Sequence, residues 1–315
     1  MNASEIWNAY TTSPYYAKDT TSRRKEQVKT IYGEFAEYAR DSRPTPSLIF
    51  DWLRHRTDGL ANKTYDEYLR IIRQVLKATM SVNGLSTNPA LEVPVKRRHS
   101  ASRKPYSRQD VEKMLAMVAT GKMAVPYRYK THGRTVVVER TFPIRHPEET
   151  ATAIMLGAFC GMRLGDALNV SSSDVDGGML SYTPHKTQTT SGAEVTVPVL
   201  DERLASTISR KSGWLTPRLR ELHHRNPSAV CRHFRRVFEA AGFQTTTDRG
   251  IGRMASTGGF HALRHSYVTW GAEAGVPIDV MAACVGHASV ITTKIYNHIS
   301  NERKAHALAA MMKKI

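Results

Sequence analysis

The stretch NPALEVPVKRRHSASRKPYSRQD, residues 88–110, divides this chain. It holds three prolines, has no apolar periodicity, and runs from Val93 to Gln109 without an acidic residue. Proline removes a backbone donor and biases the residue before it to extended conformations, so neither a helix nor a central strand passes through such a segment. A chain of 315 residues interrupted there is best divided into two cores. We place a first unit at 1–93, an extended linker at 94–106 and a second unit at 107–315. Lys96, Arg97, Arg98, Arg103, Lys104 and Arg108 give this region an unopposed positive charge. The cationic linker is expected to act as a strap along a polyanion.

Before the break the rhythm is helical. From Lys63 to Met80, Tyr68, Leu69, Ile72, Val75, Leu76 and Met80 recur at helical spacing, and Thr64 with Glu67 fits a capping box. The other face carries Arg70, Arg73 and Lys77, which we take as cations that face the same polyanion. Arg23–Arg40 repeats the pattern with Val28, Ile31, Tyr32, Phe35 and Tyr38, and a shorter version covers Ser47–Arg56. The first unit therefore reads as a small all-helical bundle.

After the break the texture is mixed. Ser107 and Asp110 form a capping box ahead of Val111, Met114, Leu115 and Val118. In the basic stretch 121–147, Val125, Tyr127 and Tyr129 alternate on one side of His132-Gly133, and Val136, Val138 and Arg140 on the other, which predicts a β-hairpin. Glu148–Leu168 is apolar on a broad face and predicts a buried helix broken near Gly161. GGMLSYTPHKT and AEVTVPV read as two strands joined by a polar turn at Gln188–Gly192, and helical patterning resumes after Asp201, most strongly over Ala229–Ala241. The expected fold is mainly α with a small β-sheet, a helical bundle followed by a mixed α+β domain. The last segment, Asn301–Ile315, places Ala305, Leu308, Ala309 and Met312 on one side of a helix. It is expected to dock either on its own domain or on a neighbouring protomer.

Charge narrows the partner. Lys and Arg total 45 against 28 Asp and Glu, a formal net charge of +17. Such an excess suits a nucleic acid, because each neutralised phosphate releases condensed counterions. No window nears the roughly 18 uninterrupted apolar residues of a spanning helix. The start, MNASEIWNAYTTSPYY, lacks the basic and apolar regions of a secretory signal. Cys160, Cys231 and Cys284 are odd in number and form no CxxC, which fits free thiols in a reducing cytoplasm. A cytoplasmic, nucleoid-associated protein without a membrane partner is expected.

Ordinary catalytic patterns fail one by one. His261 and His265 share the i,i+4 spacing of zinc ligands, but Ala262 stands where a metalloprotease needs Glu. His223, His224, Cys231 and His233 lack paired ligand spacing, and neither GxxxxGK[ST] nor a GxGxxG after a strand occurs. No metal and no cofactor is expected. A site rich in Arg, Lys and His but poor in carboxylates suits a phosphodiester held without metal, since guanidinium groups bind non-bridging oxygens bidentately. Phosphoryl transfer further needs a nucleophile, which Tyr296 can supply, and a proton donor, which Lys186 or a His can supply.

The ordered set of Gly161-Met162-Arg163-Leu164-Gly165-Asp166, His261-Ala262-Leu263-Arg264-His265, Gly286-His287 and Tyr296 resembles the tyrosine recombinase signature. Phage integrases and Xer-type resolvases share it. The resemblance spans roughly 107–300, and the helical segment before it matches the family's core-binding domain in position and size. It implies that Arg163 and Arg264 clamp the scissile phosphate, that His287 donates to one of its oxygens, and that His261 acts as general acid/base. Lys186 would protonate the departing 5′ oxygen, with His185 as its adjacent competitor, and Tyr296 would form a 3′-phosphotyrosyl link. Asp166 would orient Arg163, and His265 would be structural.

The implied reaction is site-specific strand exchange without metal or ATP. Its partners would be double-stranded DNA with short inverted-repeat core sites, and a homotetramer on two such sites working through a Holliday junction. Two other readings stay open at this point: a type IB topoisomerase-like nicking-closing enzyme, and a catalytically silent DNA-binding protein of the same fold. The basic stretch 121–147 exceeds the connection expected in a minimal member, and no separate arm-binding domain is recognised.

Overall fold

The computed structural model describes residues 1–17, 22–96, 104–185, 188, 192–248, 254–286, 305, 308–309 and 311–312. The chain divides into two compact units, Met1–Ser100 and Ala101–Ile315.

The first unit is helical throughout its described residues, as its periodicity predicts. Its helices are α1 (Ala3–Thr11), α2 (Pro14–Ala17), α3 (Ser22–Ala39), α4 (Pro46–Arg56), α5 (Asn62–Ala78) and α6 (Met80–Asn83), followed by a 3-10 turn at Pro89–Leu91. Helix α1 was not anticipated from periodicity, but Asn2 and Glu5 build a complete capping box for it. Tyr32, Phe35, Ile49, Leu53, Leu69 and Ile72 fill the core. Helix α5 starts earlier than the Thr64–Glu67 pattern predicts, with Ala61 at its N-cap and no side-chain cap. Glu67 is instead bonded to Arg24 and Arg70.

In the second unit α7 (Arg108–Ala119) begins at the predicted Ser107–Asp110 capping box. Strands β1 (Lys122–Thr131) and β2 (Arg134–Pro143) form the expected hairpin, with Thr131 opposite Arg134 across the His132-Gly133 turn. Helix α8 (Pro147–Phe159) is apolar around most of its circumference and is buried accordingly. A short α9 (Leu164–Ala167) follows the break at Gly161. Strands β3 (Val175–Asp176), β4 (Met179–Tyr182) and β5 (Val195–Pro198) make an antiparallel sheet in that order. Then come α10 (Glu202–Ser209), α11 (Pro217–Arg225) and α12 (Pro227–Ala240). A two-stranded ribbon of β6 (Thr246–Asp248) and β7 (Met254–Ser256) leads into α13 (Phe260–Glu273) and α14 (Ile278–Val285). The α8 side chains Ile154, Leu156 and Phe159 sit in one core with Phe234, Leu263, Tyr267 and Val285. Leu308 and Met311 are buried in this same core, so the described part of the tail packs on its own unit.

The ends of the linker are anchored. The Lys96 amide donates to Asp66 Oδ1 at 3.0 Å and its ammonium lies 4.4 Å from the Tyr65 ring centre, both in the first unit. Tyr106 is buried in the second unit, donating its N–H to Ser266 Oγ at 2.7 Å and accepting from the Trp270 indole. Lys104 is exposed, and Arg97, Arg98 and Arg103 lie outside the described residues. Tyr106 therefore packs with the core of the second unit.

Candidate active site

The site is assembled from the ends of helices rather than from one element. Helix α8 stops at Cys160, and Gly161 then takes a left-handed conformation at φ 66°. A Cβ at Gly161 would come within 2.6 Å of the Tyr267 ring and 2.9 Å of Val285 Cγ1. Only glycine allows both the turn and the close approach of α13 and α14. The turn delivers Arg163 to the N-cap of α9 in an extended conformation, with its side chain about a quarter exposed.

Arg264 projects from α13 into the interior and is only 3% exposed. Its Nη1 donates to the Gly161 carbonyl at 2.9 Å, and its Nη2 donates to the Val285 carbonyl. These carbonyls lie at the C-terminal ends of α8 and α14, where acceptors lack intrahelical donors and the helix dipole favours a cation. One guanidinium therefore stitches two helix ends together. Burial, and then repulsion from Arg163, push its pKa down to about 10. Two guanidinium groups share a poorly hydrated space, and that favours an anion between them.

Asp166 is the acid of the cluster and is buried. Its Oδ2 lies 3.6 Å from Arg163 Nη1, and neither atom has a hydrogen-bond partner among the described residues. Its Oδ1 accepts the His185 amide at 2.9 Å, which pins the turn after β4 to the start of α9. Lys186, the next residue in the sequence, lies outside the described residues, as do His287 and Tyr296. Helix α14 ends at Val285 and is capped by Gly286, one residue before His287, with that cap lying against Val195 of β5.

His261 opens the exposed side of α13 and meets His265 edge-on, with ring centres 5.1 Å apart. It lines a cleft of about 380 Å³ with Leu164, Arg232, Arg235, Ser256 and Phe260. Arg163, Asp166, His185 and Arg264 thus come together from residues far apart in sequence, while His261 shares its cleft with Leu164, the residue after Arg163. The Gly161 and Val285 carbonyls and the Tyr182 phenol also belong to the constellation, though sequence reading did not identify them. In the first unit, Arg73 donates from Nε to the Ala90 carbonyl at 2.9 Å and from Nη2 to the Val93 carbonyl at 2.8 Å, so it serves the bundle itself. Arg70 is paired with Glu67, and Lys77 is exposed.

The phage integrase family model matches residues 140–303, just over half of the chain. The chain belongs to the phage integrase family. This integrase-family chain is 24% identical over 295 residues to the tyrosine recombinase XerA of Thermococcus kodakarensis, covering 89% of this chain and 87% of that one. It is 36% identical over 77 residues to tyrosine recombinase XerC 2 of Ralstonia nicotianae, which is 24% of this chain and 19% of that recombinase's own length. Among solved structures, a lambda integrase dimer bound to a COC′ core site superposes with a TM-score of 0.62 at 14% identity. That match covers 96% of this chain and all of the lambda fragment. The Tn1549 transposon integrase with circular intermediate DNA gives a TM-score of 0.57 at 12% identity, covering 98% of this chain and 99% of that one. These likenesses establish the two-domain, mainly helical recombinase fold. Among the described residues, no helix is long and apolar enough to cross a membrane.

Proposed function

We propose that this phage integrase family protein is a site-specific DNA recombinase that cuts and rejoins strands through a covalent 3′-phosphotyrosyl intermediate. The observation that carries the reading is the Arg163–Arg264 pair. Two guanidiniums converge where burial and mutual repulsion already penalise the charge of one of them, and a single buried carboxylate only partly offsets this. A phosphodiester would relieve that repulsion, and the same donors gain strength as charge develops on the non-bridging oxygens.

In this reading Tyr296 attacks phosphorus, the P–O bond to the 5′ oxygen breaks, and Lys186 delivers a proton to that oxygen. The free 5′ hydroxyl is left while the phosphate stays on the tyrosine. Asp166 supports the step at two points, keeping Arg163 in place and holding the main chain just before Lys186 through the His185 amide. His261 lines the Arg232–Arg235 cleft and would exchange a proton with the reacting groups. Ligation reverses these transfers. The energy of the broken bond stays in the ester, so the cycle asks for neither ATP nor metal. Four protomers on two inverted-repeat sites would exchange one strand pair at a time through a Holliday junction. The cations of the linker and of the first unit would add duplex contacts without sequence preference.

The test is to trap protein–DNA adducts in producing cells under denaturing conditions and to sequence the attached DNA. Adducts should be protease-sensitive, absent from Tyr296→Phe, and concentrated at one short inverted repeat. Adducts scattered over unrelated sequences, with relaxation of any supercoiled plasmid, would instead indicate a topoisomerase-like activity. Adducts that persist in Tyr296→Phe would place the nucleophile elsewhere.

A further inference from the structure

Five buried side-chain polar atoms lack a hydrogen-bond partner among the described residues, and three gather at one place: Arg163 Nη1 and Asp166 Oδ2, which face each other as an ion pair at 3.6 Å, and the Tyr182 hydroxyl. An orphaned buried polar atom costs about 1–3 kcal/mol, so native folds contain few of them. Such a concentration in one constellation has a function to explain it.

Tyr182 is the last residue of β4, paired with Val195 of β5, three residues before the His185 amide that Asp166 holds. Its side chain is turned inward beside the buried Leu180 position and is 9% exposed. Packing alone does not call for a phenol there: Leu180, its inward neighbour on the same strand, is aliphatic, and a phenylalanine would fill the same volume without a stranded hydroxyl. The charged groups that act on the phenol are Arg264, Asp166 and Arg163. The phenol is near enough to the Arg264 guanidinium to favour the cation, yet it makes no well-formed hydrogen bond to it. Among the described residues, the firm bonds of Arg264 run to main-chain carbonyls. Tyr182 is therefore the side chain placed to set the tilt of that guanidinium.

We propose that Tyr182 is a positioning residue of the phosphate clamp, its hydroxyl steering Arg264 beside Arg163 so that both guanidiniums address one phosphate. This rests on the phosphate-clamp reading above. The steering uses the lone pairs of a neutral phenol, which burial keeps from ionising, so it adds no charge to the site.

The probe is inorganic phosphate, with affinity read from thermal unfolding of the full chain across a phosphate titration. Tyr182→Phe keeps the ring and removes only the hydroxyl. In phosphate-free buffer its melting temperature should stay close to that of the wild type, since the hydroxyl makes no well-formed hydrogen bond in the fold. Its phosphate affinity should fall about three-fold or more, and in an Arg264→Lys background the same change should have almost no further effect, as expected for a group acting through the guanidinium. Unchanged affinity in Tyr182→Phe overturns the proposal. So does an equal loss in both backgrounds, which would mean the hydroxyl acts independently of Arg264, and so does a clear drop in melting temperature without phosphate, which would make it a structural hydroxyl. If phosphate fails to stabilise the wild type while Tyr296-dependent adducts still form, the Tyr182 role alone falls. If both fail, the clamp reading falls and takes Tyr182 with it.

Discussion

Replacing Arg264 with methionine separates what this residue does for the fold from what it does for chemistry. The side chain keeps an unbranched shape and loses its charge. The guanidinium pKa stands at about 10 against an ordinary 12.5. That displacement corresponds to roughly 3 kcal/mol of unfavourable burial and repulsion in the charged form. The sign follows from the direction of the shift: below about pH 10 the group is charged in both folded and unfolded chains, and the folded chain bears the full penalty. Relief comes only as pH rises from about 10 towards 12.5, so at neutral pH methionine removes the whole of it. Against this, the hydrogen bonds to the Gly161 and Val285 carbonyls disappear. Hydrogen bonds from a charged donor contribute about 1.5–3 kcal/mol each. The two effects nearly cancel, leaving an expected loss of about 1–2 kcal/mol, well under the ~3–5 kcal/mol typical of breaking a buried ion pair. Covalent adduct formation should fall by ~10³ or more, because a charge-stabilising donor to the phosphoryl oxygens is gone. Urea unfolding followed by tryptophan fluorescence reads the first quantity, and single-turnover adduct formation on the recovered DNA site reads the second. A stability loss above about 4 kcal/mol would mean that the guanidinium is chiefly a structural tie. Adduct formation within about ten-fold of wild type would refute its place in the clamp.

Gly161→Ala should cost about 2–4 kcal/mol, because its Cβ meets both Tyr267 and Val285 at a left-handed backbone position; a melting temperature unchanged within error would refute the packing account. His233 is buried against Thr150 Oγ1 at 3.0 Å, and burial with nearby cations brings its pKa down to about 4. The unfolded chain takes up a proton at higher pH than the folded chain, so stability should fall as pH drops from about 6.5 to 4, by up to ~3 kcal/mol. His233→Gln should flatten that slope in urea titrations repeated across this pH range, and a slope as steep as wild type would clear His233 of the effect.

Legibility from sequence followed the range of the forces involved. Capping at Ser107 and the hairpin at His132-Gly133 were readable because a turn and a cap are satisfied within three residues of themselves. The same shortness misled at Thr64, whose pattern fits a cap although the helix begins at Asn62 and Glu67 is drawn instead to Arg24, 43 residues away. Arg163 and Arg264 were singled out from their order along the chain. Their partners were not, since the acceptors are main-chain carbonyls, which every residue carries and which have no signature in the sequence.

What the sequence alone determined was therefore local and ordinal: two units separated by a proline-rich cationic break, the periodicity of α5, α8 and α12, and the succession of Arg163, His261 and Arg264 that marks the family. The tertiary structure decided which ends of which helices meet. Arg264 reaches Gly161 across 103 residues and Val285 across 21. Tyr182 acquired its place only when β4 paired with β5 and brought its phenol near enough to act on that guanidinium. Helical and strand periods reflect side-chain burial within one element, whereas a buried cation must be matched by whatever acceptors the packed helix ends present. That matching is a property of the closed core, where the low dielectric makes each unpaired charge costly enough to fix its neighbours.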